Sequence, residues 1–115
     1  MSRSRSAAAR KLPEVAPLFA ALGDETRLRL VGRLCAEGPL STSRLSEGEE
    51  VTRQAVTKHL EALAEAGVVR DARDGRERIW TLEPRRIEQA RACLARIAAQ
   101  WDVAIGRLKD LVEED

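Results

Sequence analysis

The residues best suited to recognition chemistry fall in one octet, Thr52-Arg53-Gln54-Ala55-Val56-Thr57-Lys58-His59. On a helix, Arg53, Gln54, Thr57 and Lys58 face solvent, while Val56, Leu60 and Leu63 turn inward. An α-helix fits the DNA major groove, where Arg can bond guanine and Gln adenine through paired hydrogen bonds. Thr and Lys suit phosphates or base edges, and the helix N-terminus itself favours a phosphate. A second set follows at Arg73-Asp74-Gly75-Arg76-Glu77-Arg78, where Arg73, Arg76 and Arg78 ride a projecting ribbon. Such a ribbon can lie along a phosphate backbone or enter a narrow minor groove. An isolated hairpin of this kind reads as a solvated, self-neutralising turn. Directly behind a helix pair, the nucleic-acid reading prevails.

Those two sets need a scaffold, and the punctuation along the chain supplies one. A first helix is expected from Pro13 through Val15, Leu18, Phe19 and Leu22 to Gly23, with Pro17 near its first turn. Asp24 caps a second helix carrying Leu28, Val31, Leu34 and Cys35 up to Gly38. After Pro39, Ser41 caps a short third helix around Leu45, ending at Gly48; Thr52 caps the fourth, which stops at Gly67. The period then changes from helical to alternating. Residues 68–73 and 76–82 read as strands joined at Asp74-Gly75, a two-residue hairpin signal. Pro84 opens a last helix of about thirty residues. Its Ile87, Ala90, Leu94, Ile97, Trp101, Ala104, Leu108 and Leu111 alternate in steps of three and four, a heptad seam weakened late by Gly106. The expected fold is mainly α with a small β-hairpin: a winged helix-turn-helix with a long C-terminal dimerisation helix. Residues 1–11 read as a flexible basic arm and 12–115 as one domain.

Composition narrows the function classes. A chain of 115 residues supports one core. Its only aromatics are Phe19, Trp80 and Trp101, so Leu, Val, Ile and Ala must fill that core. The net charge of +1 excludes a polycation that binds by charge alone. With one histidine, no Gly-rich phosphate loop and no Ser/His/Asp set, nothing assembles a catalytic site, and an enzyme is not expected. No cofactor is expected either, and the residues single out no small-molecule effector. No apolar stretch reaches bilayer-spanning length and no signal-like segment opens the chain, so a cytoplasmic protein is expected. Cys35 and Cys93 would then stand in a reducing compartment without a structural disulfide.

Four phrases in order resemble the ArsR/SmtB family of winged-helix regulators: Gly23-Asp24-Glu25-Thr26-Arg27-Leu28-Arg29-Leu30, Leu40-Ser41-Thr42-Ser43-Arg44-Leu45, residues 52–60, and Glu65-Ala66-Gly67-Val68-Val69. The resemblance implies a homodimer built from the first and last helices, Leu18 and Phe19 on one, Leu94, Ile97, Trp101, Ala104 and Leu108 on the other. It implies repression through a palindromic operator in double-stranded DNA, and adds Thr42 and Ser43 to the DNA contacts. Metal-sensing members carry a Cys-x-Cys pair where Ser41-Thr42-Ser43 stands, and others bind zinc through Asp, His and Glu on the last helix. Here the one histidine is His59, so no metal site of those types is expected and the chain looks like the metal-independent subgroup. Glu49 and Glu50 depart from the apolar residue and glycine usual before the DNA-reading helix.

Three residues carry two readings each. His59 either touches DNA or bonds locally to orient its neighbours. Cys35 and Cys93 form a thiol switch or, favoured by the burial habits of free cysteine, fill core space. Trp101 lines an effector pocket or, favoured, anchors an interface. Beside the repressor stand two alternatives: a thiol-switched repressor, and a winged-helix adaptor that no longer reads DNA.

Overall fold

The computed structural model describes residues 7–113, with side chains from residue 14 onward. Its elements run α1 (Ala7–Leu22), α2 (Glu25–Glu37), β1 (Leu40–Ser41), α3 (Thr42–Glu47), α4 (Arg53–Glu65), β2 (Val69–Asp74), β3 (Glu77–Leu82) and α5 (Pro84–Glu113). This is the winged helix-turn-helix order, mostly helical with a three-stranded antiparallel sheet and a long last helix.

Each helix start in the middle of the chain is fixed by a side chain that satisfies an orphan N–H. The Asp24 carboxylate accepts from Arg27 N at 3.0 Å, Ser41 Oγ from Arg44 N at 3.1 Å, and Thr52 Oγ1 from Ala55 N at 3.1 Å. The end of α4 is equally defined. Gly67 takes φ +79°, Val68 N donates to Leu63 O and Gly67 N to Ala64 O, the paired bonds of a Schellman stop. That stop turns the chain directly from α4 into the hairpin.

Three local expectations change. α1 begins at Ala7 rather than Pro13, because Ala7, Ala8 and Ala9 are strong helix formers. Residues 7–11, read as part of the arm, are thus helical; residues 1–6 lie outside the described residues. Pro17 consequently sits in the helix interior, not its first turn. The hairpin turn shifts by one: Asp74 pairs with Glu77, so Gly75-Arg76 form the loop. Gly75 has φ +65° and no non-glycine residue among the described residues has positive φ, which suits a II′ turn with glycine in its first central position. Finally, β1 adds a third strand, pairing Leu40 with Trp80 and Ser41 with Ile79 in the order β1-β3-β2. α5 runs unbroken through Gly106.

The core lies where α1, α2, α3 and α4 meet the inner face of the sheet and the first turns of α5. Leu18, Leu30, Leu45, Val56, Leu60, Leu63, Val68 and Trp80 are wholly buried there. Leu18 therefore fills the chain's own core and is not available to a partner, a correction to its expected interface role. Its side of α1 packs inward with Val15 and Ala21. Thr42 also moves inward: it is 5% exposed, accepting from Trp80 Nε1 at 2.8 Å and donating to Arg78 O at 3.5 Å. Its side chain ties α3 to the wing instead of reaching DNA. Replacing Thr42 by Val keeps the shape but strands a buried indole N–H, an expected loss of about 1–3 kcal/mol in urea unfolding. Thr42→Ser, which retains the acceptor, should cost clearly less.

Candidate nucleic-acid interface

The outer face of α4 presents the set read from the sequence. Arg53, Gln54 and Lys58 are exposed, Thr57 is half-buried, and with Glu61 they line an open groove. Thr57 Oγ1 donates to Arg53 O at 3.0 Å, back-bonding to the preceding turn and leaving its oxygen lone pairs outward. Thr52 is committed to the cap, and Ser43 is half-buried at the start of α3. The opposite face of α4 is buried through Val56, Leu60 and Leu63. A helix anchored on one side and capped at its start presents its polar side rigidly.

Among the described residues, Arg29, Arg33, Arg44, Arg70, Arg78 and Arg91 pair with carboxylates. Arg53 and Lys58 on α4 and Arg73 and Arg76 on the wing form no ion pair, and neither do Arg27, Arg85, Arg86, Arg96, Arg107 and Lys109 elsewhere. Arg27 and Arg86 are instead engaged by His59 and by backbone carbonyls. Arg78 differs from the other wing arginines: its Nε donates to Asp71 Oδ2 at 2.6 Å and its Nη1 to Glu61 Oε2 at 3.3 Å, with the guanidinium 4.5 Å over the Trp80 ring. Its fork is spent inside the protein, against its expected role as a free contact. Glu61 and Asp71 went unnoticed in the sequence. Glu61 sits one turn beyond Thr57 on the same face, which its spacing could have flagged.

His59 bonds locally. Its Nδ1 accepts from Arg27 Nε at 3.1 Å, and Arg27 Nη1 also donates to Ala21 O at 3.4 Å. The ring thus connects α4 to the α1–α2 junction. Glu49 is drawn under Arg29, whose Nε and Nη2 donate to its Oε1 at 3.2 and 3.0 Å, so the unusual acid before α4 is accommodated by a paired charge. Of the cysteines, Cys93 is buried but Cys35 is exposed, which removes the core-filling reading for Cys35. Among the described residues, no three of His, Cys, Asp and Glu gather into a metal-holding group. Nor is any described helix long and apolar enough to cross a membrane.

The last helix buries only Ala90 and Cys93 in its own chain. Beyond them Leu94, Ile97, Trp101 and Leu108 are exposed, Trp101 by 63%, and Ala104 shares that exposure. Phe19 is partly buried against the core.

A helix-turn-helix domain model matches residues 22–72, from the end of α1 into β2. An HTH-type transcriptional regulator of Mycobacterium tuberculosis is 35% identical over 95 residues, 83% of this chain and 85% of that protein. An ArsR-like transcriptional regulator from Rhodococcus has a solved structure 34% identical, with TM-score 0.71, covering 89% of this chain and 95% of that one. The chain belongs to the ArsR family. The transcriptional repressor BigR of Xylella fastidiosa is more distant, at 27% identity and TM-score 0.61 over 73% of this chain and 86% of that one. Membership makes the protein a winged-helix transcriptional regulator, not an enzyme, and the matched helix-turn-helix domain runs from the end of α1 into β2.

Asp24, the cap of α2, is a titratable member of the α1–α2 junction that His59 abuts. The Arg27 backbone N–H lowers its carboxyl below the ordinary aspartate range, against partial desolvation. A lowered folded value stabilises above the unfolded value and ceases to do so as pH falls through the folded one. Asn caps helices comparably but does not titrate in that range. The wild type should therefore exceed Asp24→Asn in urea midpoint at neutral pH, and that gap should close on acidification through the carboxylate range. A gap independent of pH would contradict the assignment.

Proposed function

We propose that the protein is a homodimeric, sequence-specific repressor that binds an inverted-repeat operator in cytoplasmic DNA. In this reading α4 enters the major groove and the wing tip follows the adjacent backbone. The observation that carries it is the set of exposed, unpaired cations on α4 and the wing, with Gln54 among them, on a helix held by its opposite face. Arg53 and Gln54 read base edges; Lys58, Arg73, Arg76, Thr57 and Ser43 hold phosphates. An adaptor has no need for unpaired cations at groove-reading spacing. Repression is the role given by name to BigR, and the shared family supports extending it here.

The uncovered seam of α5 supports dimerisation. Leu94, Ile97, Trp101, Ala104 and Leu108 continue the stripe whose first turns are buried in the chain's own core, and a second copy with Phe19 nearby covers it. Two recognition helices then meet half-sites about one helical turn apart, roughly 34–36 Å. Trp101→Glu buries a charge in that seam and should convert a dimer to monomer in sedimentation analysis, with the secondary structure intact by circular dichroism. An unaltered dimer removes Trp101 from the interface.

Selection of bound fragments from random DNA, followed by titration at several salt concentrations, tests the recognition itself. Arg53→Ala or Gln54→Ala should cost about 1–3 kcal/mol on the preferred sequence and flatten preference at one base position. Arg76→Ala should weaken all sequences alike and lower the salt slope by about 1. Retained affinity and selectivity in all three variants would exclude this interface.

A further inference from the structure

Arg78 sits on the wing with its donors already engaged, and its partners come from different elements. Asp71 lies on β2, the neighbouring strand; Glu61 lies on α4, among the residues that line the DNA-facing groove. Beneath the guanidinium is the ring of Trp80, itself wholly buried and bonded to Thr42 on α3. A planar fork can hold two carboxylates and stack on an indole at once, which an ammonium cannot. Glu61 would otherwise be a liability. An unpaired carboxylate on the groove face of a DNA-reading helix repels phosphates, unless it has another task.

We infer that Arg78 is a positioning residue: with Glu61 and Asp71 it clamps the wing to α4 and sets the angle at which the two meet DNA. The fork ties β3, one ladder pair from the hairpin turn, to the recognition helix, and Arg73 directly across from Arg78 and Arg76 in the turn then fall at a set distance from Arg53 and Gln54. Glu61 serves affinity by aiming Arg78, and the pairing hides its charge from the duplex. The inference rests on the DNA-binding reading, yet the clamp is a property of the free protein and can be tested there too.

The sign of two effects separates a clamp from a phosphate contact. If Arg78 positions, both Arg78→Ala and the charge-conserving Arg78→Lys lower operator affinity by roughly three- to thirtyfold with little change in salt slope. Glu61→Ala weakens binding as well, and adding it to Arg78→Ala costs little more, because the two act as one unit. If Arg78 instead touches phosphate, Arg78→Lys stays near wild type and Arg78→Ala lowers the salt slope by about 1. Glu61→Ala then tightens binding. Either of those results overturns the clamp. Without DNA, nitroxide labels at Lys58 and Asp74 in a Cys35→Ser, Cys93→Ala background report the α4–wing distance. The distribution should broaden in Arg78→Lys and Glu61→Ala relative to the parent, and an unchanged width overturns the clamp whether or not any fragment is bound. Failure of the parent protein to retain DNA at low salt would instead count against the DNA-binding reading alone.

Discussion

The buried indole of Trp80 holds the helix pair and the wing in one frame. It stands on β3, pairs through its backbone with Leu40 on β1, and donates to Thr42 at the start of α3. A large aromatic contributes much apolar burial, but its N–H must find an acceptor when buried, and here the acceptor belongs to the helix-turn-helix. One side chain thus satisfies hydrophobic and polar requirements and couples two elements distant in sequence. Without it the hairpin would be tied to the helices through the Schellman turn at Gly67, the apolar pair Val68 and Val69, and the Arg78–Glu61 pair. A chain with three aromatics has spent one of them on this joint.

The same logic of partial burial governs α5. At about 1.5 Å per residue its thirty residues extend roughly 45 Å. The core beneath it covers only the first turns. The apolar stripe nevertheless continues at unchanged phase past Trp101 to Leu108, and an exposed stripe of that length calls for a partner. In the proposed dimer the functions separate along one helix: the N-terminal part locks the winged domain to the helix, and the remainder sets where the second copy stands. Rigidity of α5 would then convert a contact between helices into spacing between the two copies of α4. Its unbroken passage through Gly106 matters for that reason.

Legibility in the sequence tracked locality. The caps Asp24, Ser41 and Thr52 act within three residues of themselves, so their chemistry was readable from spacing, and so was the inward face of Val56, Leu60 and Leu63. β1 was not readable: two residues carry no period, and Leu40-Ser41 become a strand only because Trp80 lies opposite. Leu18 and Phe19 are adjacent on α1, and only three-dimensional packing tells which of them the chain's own core takes. Arg78 looked like its neighbours Arg73 and Arg76, since a guanidinium is a free contact or an internal clamp according to what lies across the strand and on the next helix. Cys35 shared an apolar context with Cys93 but sits on the outer side of α2. Most of these misses turn on surroundings remote in sequence; the early start of α1 and the one-residue shift of the hairpin turn were local.

Electrostatics shows why a nearly neutral chain can still favour DNA. Surface ion pairs add little to stability, because solvent screens them and ordering two side chains costs entropy. Their consequence here is one of pattern: carboxylates neutralise Arg29, Arg33, Arg44 and Arg91, while Arg53 and Lys58 on α4 and Arg73 and Arg76 on the wing stay uncompensated, as do Arg85, Arg96, Arg107 and Lys109 along α5. In the proposed complex the duplex meets α4 and wing cations that have no carboxylate partner, and releasing condensed ions from the duplex then drives association. A small net charge is thus compatible with a locally cationic face.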